Sequence, residues 1–299
     1  MYKLVKKKIL NYLTICQIIF ICQNSFSKEF NYYLELNTIY DGAVATNFSN
    51  TSKSPLSDIG INITHGMDVY INKNINLNFE LAEENYDKVK DGDNKFKIIT
   101  AEFSNQYNDI DNIIFVSNMD LKLPKDELSA NLIAHNASFF LKGLFININN
   151  TFTRKKLKNN ADLNGNNIIR SLSSYYFFNE AKTFINFSLK KTEEKINNNK
   201  SFDFNELSLT SSLQHKFLFK NIKCKTQLGY SLHLKDYINN SNDKLKTYEN
   251  IKKIKSSLEV ELNQNISTEL LYEHQNRQSN IETYTYRINK VIASIKYNF

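Results

Sequence analysis

Residues 222–235, IKCKTQLGYSLHLK, decide the fold. Ile222, Cys224, Thr226, Leu228, Tyr230, Leu232 and Leu234 interleave one for one with Lys223, Lys225, Gln227, Gly229, Ser231, His233 and Lys235. Successive side chains of a strand point to opposite faces, so this stretch has one apolar face and one charged face. A helix would scatter both sets around its axis.

The same period runs outward in both directions. Phe30, Tyr32, Leu34, Leu36 and Tyr40 alternate with Asn31, Tyr33, Glu35, Asn37 and Asp41. Ile59, Ile61, Ile63, Met67, Val69 and Ile71 lead through Lys73-Asn74 into Ile75, Leu77, Phe79 and Leu81, which is a hairpin. Ile254, Ser256, Leu258, Val260 and Leu262 pass through Asn263-Gln264-Asn265 into Ile266, Thr268, Leu270 and Tyr272, a second hairpin on the same plan. Weaker runs lie near 96–105, 112–123, 130–141, 144–153, 167–178, 183–192 and 204–217, and a last strand starts near 283. The total is about 14 strands, with 12 as the smaller count.

Connections alternate between short ones (near 72–74, 106–111, 142–143, 179–182, 218–221 and 263–265) and longer polar ones (near 42–57, 83–94, 124–129, 154–166, 193–203, 236–247 and 277–282). A closed, antiparallel, up-and-down transmembrane β-barrel of 14 strands has this rhythm when its first and last strands both meet the short-turn side. Pro55 and Pro124 fall in longer connections, where they break no ladder. No stretch after residue 27 holds 18 consecutive apolar residues, so any membrane crossing is by strands.

Composition narrows the class. With 13% aromatic residues an ordered structure is expected, and 7 Gly and 3 Cys exclude collagen-like and disulfide-scaffold chains. The 44 Asn weaken asparagine as a turn signal. Residues 1–27 combine Lys3, Lys6, Lys7 and Lys8 with an apolar run from Ile9 to Cys22 and a Ser25-Phe26-Ser27 end, which reads as a secretory signal peptide, leaving 28–299 as the barrel. Its removal lowers the net charge from +7 to +3, so the basic balance argues for no nucleic-acid partner. Cys16 and Cys22 leave with it, and Cys224 alone cannot form an intrachain disulfide.

A soluble β-sandwich also alternates, and the chain's end separates the two. Val291, Ala293, Ile295, Tyr297 and Phe299 make an alternating apolar face that finishes on a terminal aromatic residue. This resembles the C-terminal sorting signal of bacterial outer-membrane barrels, which implies an outer-membrane location and recognition of the last strand by the barrel assembly machinery. A bilayer demands closure because an open sheet edge would leave N–H and C=O groups unpaired in hydrocarbon. The 17 Tyr and 21 Phe suffice for interfacial girdles against outer-membrane lipid.

Leu271-Tyr272-Glu273-His274-Gln275, Ser279-Asn280-Ile281, and then Tyr284, Tyr286, Asn289 and Val291 to Phe299 resemble the final hairpin of barrels related to the surface lipoprotein assembly modifier proteins. Tyr40-Asp41-Gly42 with Val44 and Asn47 is loosely similar to their first-loop region. Arg287 and Ile288 stand where that family usually has an acidic and a basic residue. The resemblance covers about 30 residues and implies a 14-strand barrel; the family's periplasmic helical-repeat domain has no counterpart in this reading.

If the apolar faces meet lipid, the other face lines a lumen. Glu35, Asp41, Asp68 and Glu80 fall on one arc; Lys223, Lys225, Lys235, Lys253 and Lys255 fall on another, with Glu259, Glu261, Glu269, Glu273, Arg287 and Lys296 beyond. Acid facing lysine would set up a transverse field in a polar channel, and simple mutual neutralisation is the alternative account. Three functions are open: a channel for passive diffusion of small hydrophilic solutes, a translocation barrel for a lipoprotein or polymer with a separate periplasmic partner, and a structural or recognition barrel. None of His65, His135, His215, His233 and His274 stands in a recognisable catalytic context, so catalysis is not expected. No two histidines sit at metal-ligand spacing, and neither phosphate-loop nor dinucleotide motifs occur, so no metal or cofactor is expected.

Overall fold

The computed structural model describes residues 30–44, 56–124, 126–238, 248–280 and 285–299; residues 1–27, expected from the sequence to be a signal peptide, lie outside them. Fourteen strands follow in order: β1 (Phe30–Val44), β2 (Leu56–Asn72), β3 (Ile75–Tyr86), β4 (Asn94–Tyr107), β5 (Ile110–Lys122), β6 (Glu127–Leu141), β7 (Leu144–Leu157), β8 (Gly165–Phe178), β9 (Thr183–Ile196), β10 (Phe204–Phe219), β11 (Ile222–Tyr237), β12 (Tyr248–Glu261), β13 (Ile266–Ser279) and β14 (Tyr286–Asn298). Each pairs antiparallel with its sequence neighbours, and β14 returns to β1, so the sheet is a closed barrel with no free edge.

Directly opposed residues of an antiparallel pair share a face, so the register sorts every strand residue into one of two sets. One set holds Leu36, Ile63, Leu189, Leu228, Leu270 and Ile295; the other holds Glu35, Thr64, Glu80, Lys225, Glu259 and Lys296. The second set is concave. Tyr33 of β1 reaches across β2 to donate to Glu80 of β3 at 2.9 Å, and Lys155 of β7 reaches across β8 to Glu194 of β9 at 2.9 Å. Only on the inside of a curved wall do side chains two strands apart come this close.

Glycine makes the first reach possible. Gly66 of β2 lies under the Tyr33 ring, and a Cβ there would sit 2.0 Å from Tyr33 Cζ. The Tyr86 ring covers Gly60 in the same way, 3.0 Å from the position of its missing Cβ. Both tyrosines lie flat on the inner wall where β2 has no side chain to raise them.

The short connections lie at 73–74, 108–109, 142–143, 179–182, 220–221 and 262–265. Lys142 and Gly143 (φ 47° and 84°) and Lys220 and Asn221 (φ 48° and 67°) take the paired left-handed conformations that match the twist of a hairpin. At the other end the strands run past the polar boundaries drawn from sequence. Residues 83–86, 154–157 and 193–196 are strand, and the β5–β6 connection shrinks to 123–126. The strands reach 12 to 17 residues, longer than the roughly 9–11 a bilayer requires.

Three of the longer loops repeat one device. A 3₁₀ turn follows the strand, and an Asp or Asn seven residues on folds back to accept the strand's last N–H: Tyr86 N to Asp93 at 2.7 Å, Leu157 N to Asn164 at 2.6 Å and Ile196 N to Asp203 at 2.6 Å. At the short-turn end the sheet closes on its last residue. Phe299 N–H donates to the Tyr32 carbonyl at 2.9 Å, and its ring packs on Tyr297 (4.5 Å) and Tyr32 (5.1 Å).

Candidate functional site: the barrel interior

The register places Glu35, Asp41, Asp68, Glu80, Lys223, Lys225, Lys235, Lys253, Lys255, Glu259, Glu261, Glu269, Glu273 and Lys296 on the inner face. Arg287 is a correction. It opposes Asn276, which opposes Lys252, which opposes Leu232, and this row runs along the outside. The C-terminal residues Val291, Ala293, Ile295 and Tyr297 share that outer face.

The interior divides into three arcs. Along β1–β5 the inward residues include Glu35, Asp41, Asp58, Asp68, Glu80, Glu84, Glu102 and Asp111, while every strand lysine of β1–β6 points outward. Among salt bridges between described residues, only Asp41 of these eight carboxylates has a partner, Lys290 at 2.9 Å across the closing seam. Of the others, Glu80 accepts from the Tyr33 hydroxyl and Asp68 from Asn78 Nδ2, both at 2.9 Å. Asp58 accepts the N–H groups of Ile59, Lys88 and Val89 at 2.6–2.8 Å, pinning the β3–β4 loop.

The upper ends of β4–β6, where upper means nearest the longer loops, form a second arc with an apolar lining. Phe96, Ile98, Met119, Leu121, Leu128 and Leu132 point inward, and Lys95, Lys97, Asp120, Lys122, Ser129 and Asn131 point outward. Lower on the inner wall, rings from β6 to β9 make a ladder. Phe140, Phe145, Tyr175 and Phe184 follow one another with centroids 5.2, 5.7 and 5.9 Å apart.

The third arc, β9–β14, carries both signs in contact. Lys223 meets Glu261 at 3.2 Å, Lys225 meets Glu259, Lys253 meets Glu273 at 3.9 Å, and Arg277 meets Glu249 while donating to the Tyr286 hydroxyl at 2.6 Å. The Lys235 ammonium lies 3.7 Å from the centre of the Phe204 ring, and Lys296 lies 4.0 Å over Tyr33. Mutual neutralisation therefore holds for much of the lysine-rich arc and not for the acidic one. The interior keeps a side-to-side asymmetry, with the negative side in excess.

His233 is the inward histidine. Its Nδ1 is 3.0 Å from Glu206 Oε1 and 2.9 Å from the buried Ser208 hydroxyl, and its Nε2 is 3.1 Å from Ser231 Oγ. A carboxylate, an imidazole and a hydroxyl thus stand in series. These contacts tie the side chains of β10 to those of β11 on the inner face. His65, His135, His215 and His274 face outward; His65 binds the Tyr32 hydroxyl at 2.8 Å and His274 binds Asn289 at 2.8 Å. Cys224 lies outward between Phe217 and Val260. Among the described residues no group of His, Cys, Asp and Glu could hold a metal ion.

Sequence reasoning did not single out Lys155, Glu194, Glu206, Arg277 and Lys290. Each lies in step with an inward residue further along its strand, so extending the period-two count to the strand's end finds them.

No known family profile and no curated protein matches the sequence. Solved structures do match in shape. A loop-deletion mutant of OmpT, an outer membrane protein of Vibrio cholerae, aligns over 92% of this chain and 100% of its own at 10% identity with a TM-score of 0.52. An anion-selective porin from Comamonas acidovorans aligns over 91% and 99% at 9% identity and 0.51. A bacterial polysaccharide outer membrane secretin aligns over 90% and 98% at 7% identity and 0.53. At these identities the likeness speaks for the fold alone, and that fold is the outer-membrane β-barrel.

Proposed function

We propose that the chain is an outer-membrane channel for small hydrophilic solutes, exported by the 1–27 signal and open to passive diffusion along a charged lumen. The observation that carries this reading is the asymmetric interior: an acidic arc on β1–β5 almost without cationic partners, facing an arc where lysines outnumber their carboxylates. Buried carboxylates without counter-charge are costly unless water solvates them, so the arrangement calls for a hydrated lumen. The unpaired acids give the pore a preference for cations.

The test is single-channel conductance and reversal potential of refolded 28–299 in a planar bilayer under a KCl gradient. Stable steps with cation preference are expected, with the preference reduced by Glu35→Gln plus Glu102→Gln and raised by Lys223→Glu plus Lys225→Glu. A folded barrel that passes no current overturns the reading.

A second reading is supported by the resemblance of the last hairpin to surface lipoprotein assembly modifier barrels and by the apolar lining of β4–β6, which suits an apolar passenger segment. It requires a periplasmic partner and a pore that is closed at rest.

A further inference from the structure

The outer surface of β7–β9 carries charge where an outer-membrane barrel meets lipid. Two rungs of the outward face are cationic. In the upper one Arg154 of β7 and Lys195 of β9 flank Asn166; in the lower one Arg170 of β8 stands directly opposite Lys191 of β9. Lys156 lies above them on β7. Like charges placed directly opposite destabilise a sheet, so the Arg170–Lys191 rung needs a reason. Glu193 bridges both, at 3.4 and 2.9 Å, and is the one outward carboxylate on these strands; Glu127, the nearest on β6, is engaged by Lys158 at 3.0 Å. Arg154, Lys156 and Lys195 are exposed and form no salt bridge among the described residues.

Directly beneath the lower rung the same face opens into an apolar groove of about 480 Å³. Leu172, Leu189, Leu209 and Leu232 form one row across it, with Phe187 and Ile146 below. Leu172 is 50% and Phe187 59% exposed, so the protein itself does not fill it. A cationic crown over an unfilled hydrocarbon groove has the two halves of a lipid site, phosphate above and acyl chain below.

We propose that this surface binds a doubly phosphorylated glycolipid of the outer leaflet, one acyl chain lying along the leucine row and the phosphates held by Arg154, Arg170, Lys191 and Lys195. Charge matching selects the class. Five cations less Glu193 leave an excess of four, and two phosphomonoesters carry roughly 1.5 to 2 negative charges each. A zwitterionic phospholipid brings its own ammonium and leaves most of that excess unmatched. A second copy of this chain would set like charge against like. Guanidinium groups bind phosphate through paired N–H donors, which favours headgroup capture over a diffuse ion cloud.

The experiment is native mass spectrometry of the detergent-extracted barrel with added diphosphorylated lipid A, phosphatidylglycerol or phosphatidylcholine. Diphosphorylated lipid A is expected to be retained at least about tenfold better than phosphatidylcholine, and the difference should vanish in Arg154→Gln/Arg170→Gln/Lys191→Gln/Lys195→Gln. A heat-modifiability gel shows whether that variant folds; if it does not, Leu172→Trp plus Leu209→Trp fills the groove with every charge intact and should also reduce retention. Equal retention of all three lipids overturns the proposal, as does undiminished retention by the folded charge variant or oligomers that bury β7–β9. Phosphatidylglycerol retained as well as lipid A overturns the two-phosphate assignment.

Discussion

Strands β11–β14 and the upper halves of β4–β6 belong to one sheet and follow opposite rules. In β11–β14 Leu228, Tyr230 and Leu270 point out and Lys225, Glu259 and Glu273 point in. On β4–β6 Lys97, Asp120 and Ser129 point out while Ile98, Met119 and Leu128 point in. The ladder is equally regular in both. Alternation fixes that a strand has two faces; which of them is apolar is decided by what the outer face touches at that height. Polar groups can face outward only where the bilayer is itself polar, so the upper ends of β4–β6 stand at the headgroups rather than in hydrocarbon.

The largest test of this contrast is an outward arginine at each place. Leu228→Arg puts a charge in the apolar belt and should cost about 2–4 kcal/mol, whereas Ser129→Arg, outward on β6 beside Asp120, should cost about 0–1 kcal/mol. Urea unfolding from lipid vesicles measures both, and equal costs would break the comparison. On the inner wall the contrast is between strands with side chains and the bare patch of β2. Gly66→Val drives a Cβ into the Tyr33 ring and should destabilise the barrel by about 1–3 kcal/mol, read as a lower temperature on a heat-modifiability gel. Adding Tyr33→Ala should restore most of the loss, since the clash is with that ring.

The smallest effect concerns the four-residue β5–β6 connection. Burial works against the charge of Asp126, but the N–H groups of Glu127 and Asn159 and the Asn160 amide outweigh it and hold its carboxyl below the ordinary aspartate value. A carboxyl with a depressed pKa contributes stability that is complete above the unfolded-state value and is lost as pH falls through its lower, folded-state value. The tie between this connection and the β7–β8 loop should thus be complete above about pH 4, weaken below it and be lost once the pH falls through the lower folded-state value. Limited proteolysis near Asn159–Asn160 checks this: Asp126→Ala should be cut at neutral pH as readily as the parent chain is in acid.

Much of the barrel was legible because lipid and water sort side chains every second residue. The 222–235 run, both quoted hairpins and the terminal apolar face needed nothing else. Strand ends were not legible, because Glu83, Lys155 and Glu193 look like loop residues until the ladder is known to continue above the apolar belt. The face of Arg287 was legible: it lies two pleats from Val291, so counting back in twos from the terminal face puts it outside, and its charge drew it wrongly to the lumen. The inward turn of Phe96, Ile98 and Leu128 was not, since an apolar set carries no mark of which side it faces. Of the outward cations of β7–β9, Arg154, Lys156 and Lys195 stayed hidden because they fall in stretches that read as connections.

The seam between β1 and β14 has a bearing on biogenesis. Asp41 and Lys290, joined across it, are 249 residues apart in the chain, and Phe299 bonds to Tyr32. Until β14 has been synthesised, β1 has no second neighbour and the sheet is an open ribbon with two sticky margins. Such a chain cannot reach its final form as it emerges from the ribosome, and closing a loop of that span is slow. It must be kept from pairing with itself and with others through its whole passage to the membrane, which makes escort during transit as much a requirement of this fold as the hydrogen bonds that finally shut it.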